Sequence, residues 1–269
     1  MDVLNHYHSK SLSELLDFLG FVGMYEDDNR LNVYYHWMGT HAHLFDRAVV
    51  IEAGAGFGAF SDRATELGAK KVYAVEVNRH MVGVLKHKFA GRTDIVVVPK
   101  DILDFKPREG RADVLIHDLF GPLLYDESLY ALEKLPFDVG TVFPNQARLK
   151  MALLKADDFV DKVVTHEVLG QLHSVLVGDL FTHFEGPYPH TVCSWSAQEG
   201  LVHHTMSLKG LNGDLLVFML EILHDGEFVC SAIDCTNWSL AWTPRAGDVF
   251  ELRFKRRGIF CDAHFKWVE

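Results

Sequence analysis

The chain has no apolar run long enough to cross a bilayer. Its most apolar stretch, "LLVFMLEIL", is short and carries Glu221, whereas a spanning helix needs roughly 20 apolar residues. The opening residues, "MDVLNHYHSK", hold no apolar signal core, so the expected setting is cytoplasmic, with no membrane partner. An excess of positive charge is missing too. The formal net charge is −11, and a footprint on a phosphate backbone needs clustered Lys and Arg, so no nucleic-acid partner is expected. Such a surface suits a cationic or neutral substrate.

Cysteine is sparse: four residues, all after position 190, without CxxC spacing. Neither a zinc site nor a disulfide framework is indicated, and the thiols read as reduced core residues. The 16 histidines include "HYH" (6 to 8), "HAH" (41 to 43) and "HH" (203 to 204). A catalytic zinc site needs a third ligand and an open position, so these read as surface and capping histidines and no metal is expected. The sequence also lacks internal repeats and low-complexity segments.

What is present is a chain of 269 residues with 48% hydrophobic content, enough for a sizeable core in one large or two modest domains. Residues 1–47 read as an N-terminal helical segment, with Leu15, Phe18, Leu19 and Val22 at helical spacing. From residue 48 strands and helices alternate: "AVVIEAG", a helix over 59–69, "KVYAVEV", a helix over 79–90, "DIVVVPK" and "ADVLIHD". That alternation predicts a Rossmann-like parallel sheet over 48–145, with its ligand beyond the carboxyl ends of the strands. Residues 146–269 read as the strands "RLKMALL", "HSVLVGDLF", "LVHHTMSLKG", "DLLVFMLEIL", "EFVCSAID" and "VFELRFKR", broken by turns such as "LNGD" and "HDGE". The fold class is therefore α/β, a Rossmann-like parallel sheet with helices, followed by a smaller, mostly antiparallel, barrel-like β domain.

The loop "EAGAGFG" follows a strand and opens a helix, the context that a glycine-rich cofactor loop requires. Its glycines, Gly54, Gly56 and Gly58, are spaced GxGxG, whereas a dinucleotide pyrophosphate site uses GxGxxG. The tighter spacing suits a cofactor whose amino-acid and ribose parts pack against bare backbone. Glu76 ends the second strand, where an acid can accept from both ribose hydroxyls. Asp101 follows the third strand and is placed to meet an adenine amino group. Together they point to an adenosyl ligand.

On these residues, and on "GMYEDDNRLNVYYHWMGTHAHLFDRAVVIEAGAGFGAFSDRATELGAKKVYAVEVN", "HDLFGPLLYDESLYALEKL" and "GTVFPNQARL", the chain resembles the class I S-adenosylmethionine-dependent methyltransferases, and within them the protein arginine methyltransferases. The resemblance implies S-adenosyl-L-methionine as cofactor, with Arg30 on its carboxylate, Glu52, Gly54 and Gly56 around its methionine part, and Glu76 on the ribose. Arg30 also fits because a planar guanidinium matches a carboxylate bidentately.

By the same resemblance, Asp118 and Glu127 are the two acids of the family's double-glutamate loop. One carboxylate can bind a guanidinium fork while the other draws positive charge to one nitrogen and frees its neighbour as nucleophile. Asp27 takes the place of the relay aspartate, and Thr236, Asn237 and Trp238 that of a Thr-His-Trp loop. Four departures stand out. Asn237 cannot accept a proton as histidine would. Asp118 is shorter than glutamate by about 1.5 Å. Leu15, Leu16 and Leu19 replace two tyrosines and a phenylalanine. Finally, the helical arm through which the family forms homodimers cannot be matched, although a homodimer is the assembly the resemblance suggests.

The expectation is an N-methyltransferase for a guanidino nitrogen, in free arginine, a peptide or another small cationic metabolite. Two alternatives stand beside it: a methyltransferase for an amine, hydroxyl or carboxyl, and an inactive binding subunit. The two acids could also merely cap the following helix, and Tyr34, Tyr35, Trp37 and Tyr125 could wall a pocket or fill the core.

Overall fold

The computed structural model describes residues 19–172, 175–178, 186–204, 206–235 and 238–268. The chain divides into two units, one comprising residues up to Ile116 with Phe137–Thr141, the other His117–Pro136 with Val142–Glu269. Residues 117–136, which carry both acids of the expected substrate site, thus go with the β-rich part of the chain.

In the first unit a five-stranded sheet has the order β3-β2-β1-β4-β5, built from β1 (Val49–Ala53), β2 (Lys71–Val75), β3 (Ile95–Val98), β4 (Arg111–His117) and β5 (Asp138–Phe143). β1 and β2 pair in parallel from Val49↔Lys71 to Ala53↔Val75, and β2 pairs in parallel with β3. All five positions of β1 are buried, as expected of a strand covered on both faces.

Helix α1 runs through 19–26 and α2 spans Asp28–Thr40. α3 (Ala59–Glu66) connects β1 to β2, and α4 (Arg79–Lys88) connects β2 to β3. Asn78 caps α4 by accepting from the His80 and Met81 amides at 2.9 and 3.3 Å, and Lys86, His87 and Lys88 in its last turn complement the helix dipole. Met81, Val82, Leu85 and Phe89 form its buried face. Each such side chain contributes about 1.5–3 kcal/mol through burial. α2 docks on α3 by stacking Tyr34 on Phe60, with centroids 4.7 Å apart.

In the second unit the strands are β6 (Gln146–Leu154), β7 (Val177–Gly178), β8 (His190–Ser196), β9 (Gly200–His203), β10 (Leu215–His224), β11 (Glu227–Ser231) and β12 (Ala241–Pro244), in the order β7-β12-β10-β6-β8-β9 with β11 on β10. β10 is its spine, antiparallel to β6 from Leu215↔Leu154 to Leu223↔Gln146. Among the described residues this path is open at both ends, so the expected barrel closure is not seen. The "HDGE" turn joins β10 to β11 with positive φ at Asp225 and Gly226, the conformation a two-residue hairpin demands. β13 (Val249–Arg257) and β14 (Phe260–Val268) form a separate antiparallel ribbon, packed through Phe250 and Phe265 against Phe218. β8, β12 and β14 were not anticipated. β8 and β14 mix polar and apolar residues on strands that are only partly covered, whereas β12 is buried throughout and, at four residues, too short to show a period. The short helix α5 (His166–Gly170) lies between β6 and β7.

Candidate functional site

The glycine loop begins where β1 ends. Gly54, Gly56 and Gly58 have φ of 70°, 50° and 72°, a region that residues with a Cβ enter at a cost. A Cβ on Gly58 would also lie 2.7 Å from Phe89 and 2.8 Å from Leu85, so α4 packs directly onto the loop there. Gly58 has no side chain to cap α3. The cap comes from Glu52 on β1, which accepts from the Phe60 and Ser61 amides at 3.3 and 2.8 Å and from the Ser61 hydroxyl. Burial raises the Glu52 carboxyl to about 7, against these bonds. Tyr25, from α1, accepts from the Ala59 amide at 3.0 Å with its hydroxyl, supplying another acceptor to the same helix start.

Glu76 accepts from the Gly56 amide at 2.9 Å with one oxygen and from the Asn78 amide at 2.7 Å with the other, while burial pushes its carboxyl above the usual range. One carboxylate thus ties the glycine loop to the end of β2. Asp101 accepts from the Leu103 amide at 3.0 Å and caps the short turn Ile102–Asp104. Asp27 is the N-cap of α2 and accepts from the Arg30 amide at 3.1 Å. Arg30 is buried and donates to the Met24 carbonyl at 2.7 Å. Lys88 completes the loop, donating to the Phe57 and Gly58 carbonyls at 2.9 and 3.3 Å and pairing with Asp62 at 2.6 Å. Neither Lys88 nor Tyr25 was foreseen. A lysine in a helix's last turn and a tyrosine among many aromatics carry no distinctive local signal.

The acid loop starts at His117, the last residue of β4. His117 is fully buried; its Nε2 donates to the Pro144 carbonyl at 2.8 Å, and its Nδ1 accepts from the Leu119 amide at 3.4 Å. Asp118 and Glu127 are half-buried. The loop turns through a bridge between Gly121 and Leu124. The space beside Gly121 is filled by the carboxylate of Asp126, which accepts from the Leu123 amide at 2.8 Å and is raised to about 6 by burial. Its far end is fixed by three contacts: the Cys261 amide donates to the Glu127 carbonyl at 2.9 Å, the Ser128 hydroxyl to the Ile259 carbonyl at 2.7 Å, and the Tyr125 hydroxyl to Glu133 at 2.7 Å.

Trp238 is buried, with its ring 6.4 Å from Phe120 in edge geometry, which joins Trp238 to the acid loop. Asn237 lies outside the described residues, as do Thr236, Leu15 and Leu16 and the "HYH" histidines. Tyr34 and Trp37 belong to the core of the first unit, and Tyr125 is buried in the second. Among the described residues no group of three His, Cys, Asp or Glu side chains is arranged to hold a metal, and no helix is long and apolar enough to cross a membrane.

This geometry can be set beside known proteins. A family model described as Ribosomal RNA adenine dimethylase matches residues 38–135. Protein arginine N-methyltransferase 2 of Dictyostelium discoideum is 29% identical over 145 residues, 51% of this chain and 28% of that protein. Probable histone-arginine methyltransferase CARM1 of Oryza sativa subsp. indica is 27% identical over 183 residues, 65% and 33% of the two chains. The chain therefore spans about a third of the length of these relatives.

Among solved structures, the Trypanosoma brucei PRMT1 enzyme-prozyme heterotetrameric complex with AdoHcy superposes with a TM-score of 0.60 at 15% identity, covering 87% of each chain. PRMT6-SAH does so at 0.62 and 15%, covering 90% of this chain and 97% of that one. The fold is that of the class I S-adenosylmethionine-dependent methyltransferases, arginine-methyltransferase-like. The cradle in this methyltransferase fold fits that cofactor. Its loop is bare backbone at three glycines, and an acid stands at the end of β2.

Proposed function

We propose that the protein transfers a methyl group from S-adenosylmethionine to a guanidino nitrogen of arginine, free or within a peptide. The observation that carries this reading is the acid loop. Two half-buried carboxylates, Asp118 and Glu127, stand at either end of a segment pinned at His117 and again at Ser128. A guanidinium is a planar, permanently charged fork, and paired carboxylates are its natural complement.

The cofactor supplies an activated methyl on a sulfonium. Arg30 would take its carboxylate, the backbone of Gly54, Gly56 and Gly58 its methionine part, Glu76 the ribose and Asp101 the adenine. Glu52, whose two oxygens accept from the start of α3, would border the methionine part beside the glycines. In the reaction a carbon–nitrogen bond forms as the carbon–sulfur bond breaks, and the guanidinium surrenders one proton. Glu127 and Asp118 would draw positive charge toward the nitrogens they bind, leaving the third as nucleophile. Asn237 cannot take the proton, so it leaves through a carboxylate, Asp27 among them, or through water. Trp238 would help to wall the site. A homodimer, and the absence of a nucleic-acid partner, belong to the same reading.

The test is a panel of free arginine, arginine peptides, other guanidino compounds, amines, alcohols and carboxylates, with labelled cofactor and mass detection. Methylation confined to guanidino acceptors is expected. Methylation of an amine, hydroxyl or carboxyl alone would replace this reading, and failure to bind S-adenosylhomocysteine would make the chain an inactive binding subunit.

A further inference from the structure

His117 is the one ionisable side chain of β4 that is fully buried, and its chemistry is out of proportion to a packing role. Burying an imidazole is less favourable than burying a phenyl ring of similar size unless both nitrogens are satisfied. Here Nε2 donates to the Pro144 carbonyl at 2.8 Å and Nδ1 accepts from the Leu119 amide at 3.4 Å. The acceptor is a carbonyl, which fixes the tautomer with the proton on Nε2. Burial pushes the ring's pKa down to about 4, so Nδ1 stays an acceptor at neutral pH.

These two bonds bracket Asp118. Leu119 is its immediate neighbour, so the bond to Nδ1 orients the peptide unit leading out of Asp118, while the bond to Pro144 anchors the ring at the start of the segment leading to β6. The ring also lies 5.0 Å from Phe120 and 5.9 Å from Trp195, and Phe120 meets Trp238. One side chain therefore links the acid loop, the β5–β6 junction and the loop that carries Trp238.

We propose that His117 is a positioning residue, which in its Nε2–H tautomer sets the direction of the Asp118 carboxylate and so the pose of the guanidinium; the inference rests on the function proposed above. A guanidinium held by a carboxylate aimed wrongly still binds, but its nitrogen is misdirected, so the loss falls on turnover rather than on cofactor affinity.

The test compares His117→Phe, which keeps the ring and removes both nitrogens, with His117→Gln, whose amide can both donate and accept. On an arginine peptide, H117F is expected to lose kcat by about tenfold or more, with the dissociation constant of S-adenosylhomocysteine within about twofold, and H117Q to recover most of the loss. A kcat for H117F within about threefold of the parent, or an H117Q no better than H117F, would overturn the inference. If the parent methylates no guanidino acceptor, the proposed function falls, and nuclear magnetic resonance decides the inference separately. The His117 Nε2–H signal at pH 7 and an Asp118 carboxyl signal that moves in H117F and returns in H117Q support it; an Asp118 signal that stays in place in H117F overturns it. Should H117F not fold, His117→Leu, which also removes both nitrogens, takes its place in the same spectra.

Discussion

In the glycine loop carboxylates hold the backbone: Glu52 gathers the first amides of α3, Glu76 the Gly56 and Asn78 amides, and Asp101 the Leu103 amide. In the acid loop uncharged groups, the neutral His117 ring, the Ser128 and Tyr125 hydroxyls and main-chain amides, hold the segment, joined by the Asp126 carboxylate on the Leu123 amide. A site for a cofactor with an uncharged ribose and adenine can use its acids as structural acceptors.

The contrast can be broken at several points. Glu127→Gln should have the largest effect, lowering kcat/KM for an arginine peptide by about 10²–10³-fold while S-adenosylhomocysteine binds normally. Labelled methyl transfer measures it, and turnover within a few fold of the parent would show that the loop is no cation trap.

Gly58→Ala should come next. The new Cβ meets Phe89 and Leu85 at 2.7 and 2.8 Å at a φ of 72°, at a cost of about 2–4 kcal/mol in stability by urea unfolding. A loss under about 1 kcal/mol would mean that α4 does not clamp the loop.

pH separates the two loops. Burial raises Glu52 to about 7 from an ordinary value near about 4.3, so the folded state binds more protons between those values. Its contribution is fully present below about pH 4.3 and is lost as pH rises through about 7. His117 is lowered to about 4, so its contribution is present above about pH 6.5 and is lost as pH falls toward 4. Asp126, raised to about 6, has the sense of Glu52. Glu52→Gln should therefore lessen the fall in stability between pH 5 and 7 by up to about 1.4 kcal/mol per pH unit, read from urea midpoints. An unchanged slope would show that Glu52 is ionised throughout.

Smaller effects sharpen the picture. Lys88→Met should weaken S-adenosylhomocysteine by a few fold in calorimetry, with less than about 1 kcal/mol lost in stability, because its pair with Asp62 is over a third exposed. An unchanged affinity would remove Lys88 from the cofactor loop. Asp101→Asn keeps a capping acceptor and should cost under about 0.5 kcal/mol.

The alternating pattern over 48–118 was legible because local signals agree: short apolar runs, helical spacing between them and the glycine-rich loop all point the same way. β8 and β14 were hidden because partly covered strands of mixed composition lack a clean period, and β12 because four buried residues are too few to show one. Of the site, the types and spacing of Gly54, Gly56, Gly58, Glu76, Asp118 and Glu127 were readable. The backbone partners of the acids were not: Glu52 accepts from the start of α3 and Asp27 from the Arg30 amide.

The amino-acid sequence by itself determined the alternation of strands and helices over 48–118, the bare-backbone loop and the presence of two acids around Gly121, because periodicity and glycine geometry act over a few residues. Only the tertiary structure decided which acids are consumed by backbone amides, that His117 stands neutral beside Asp118, and that Lys88 closes the loop from 30 residues away. Those outcomes depend on burial and on partners far apart in the chain, and no local pattern carries them.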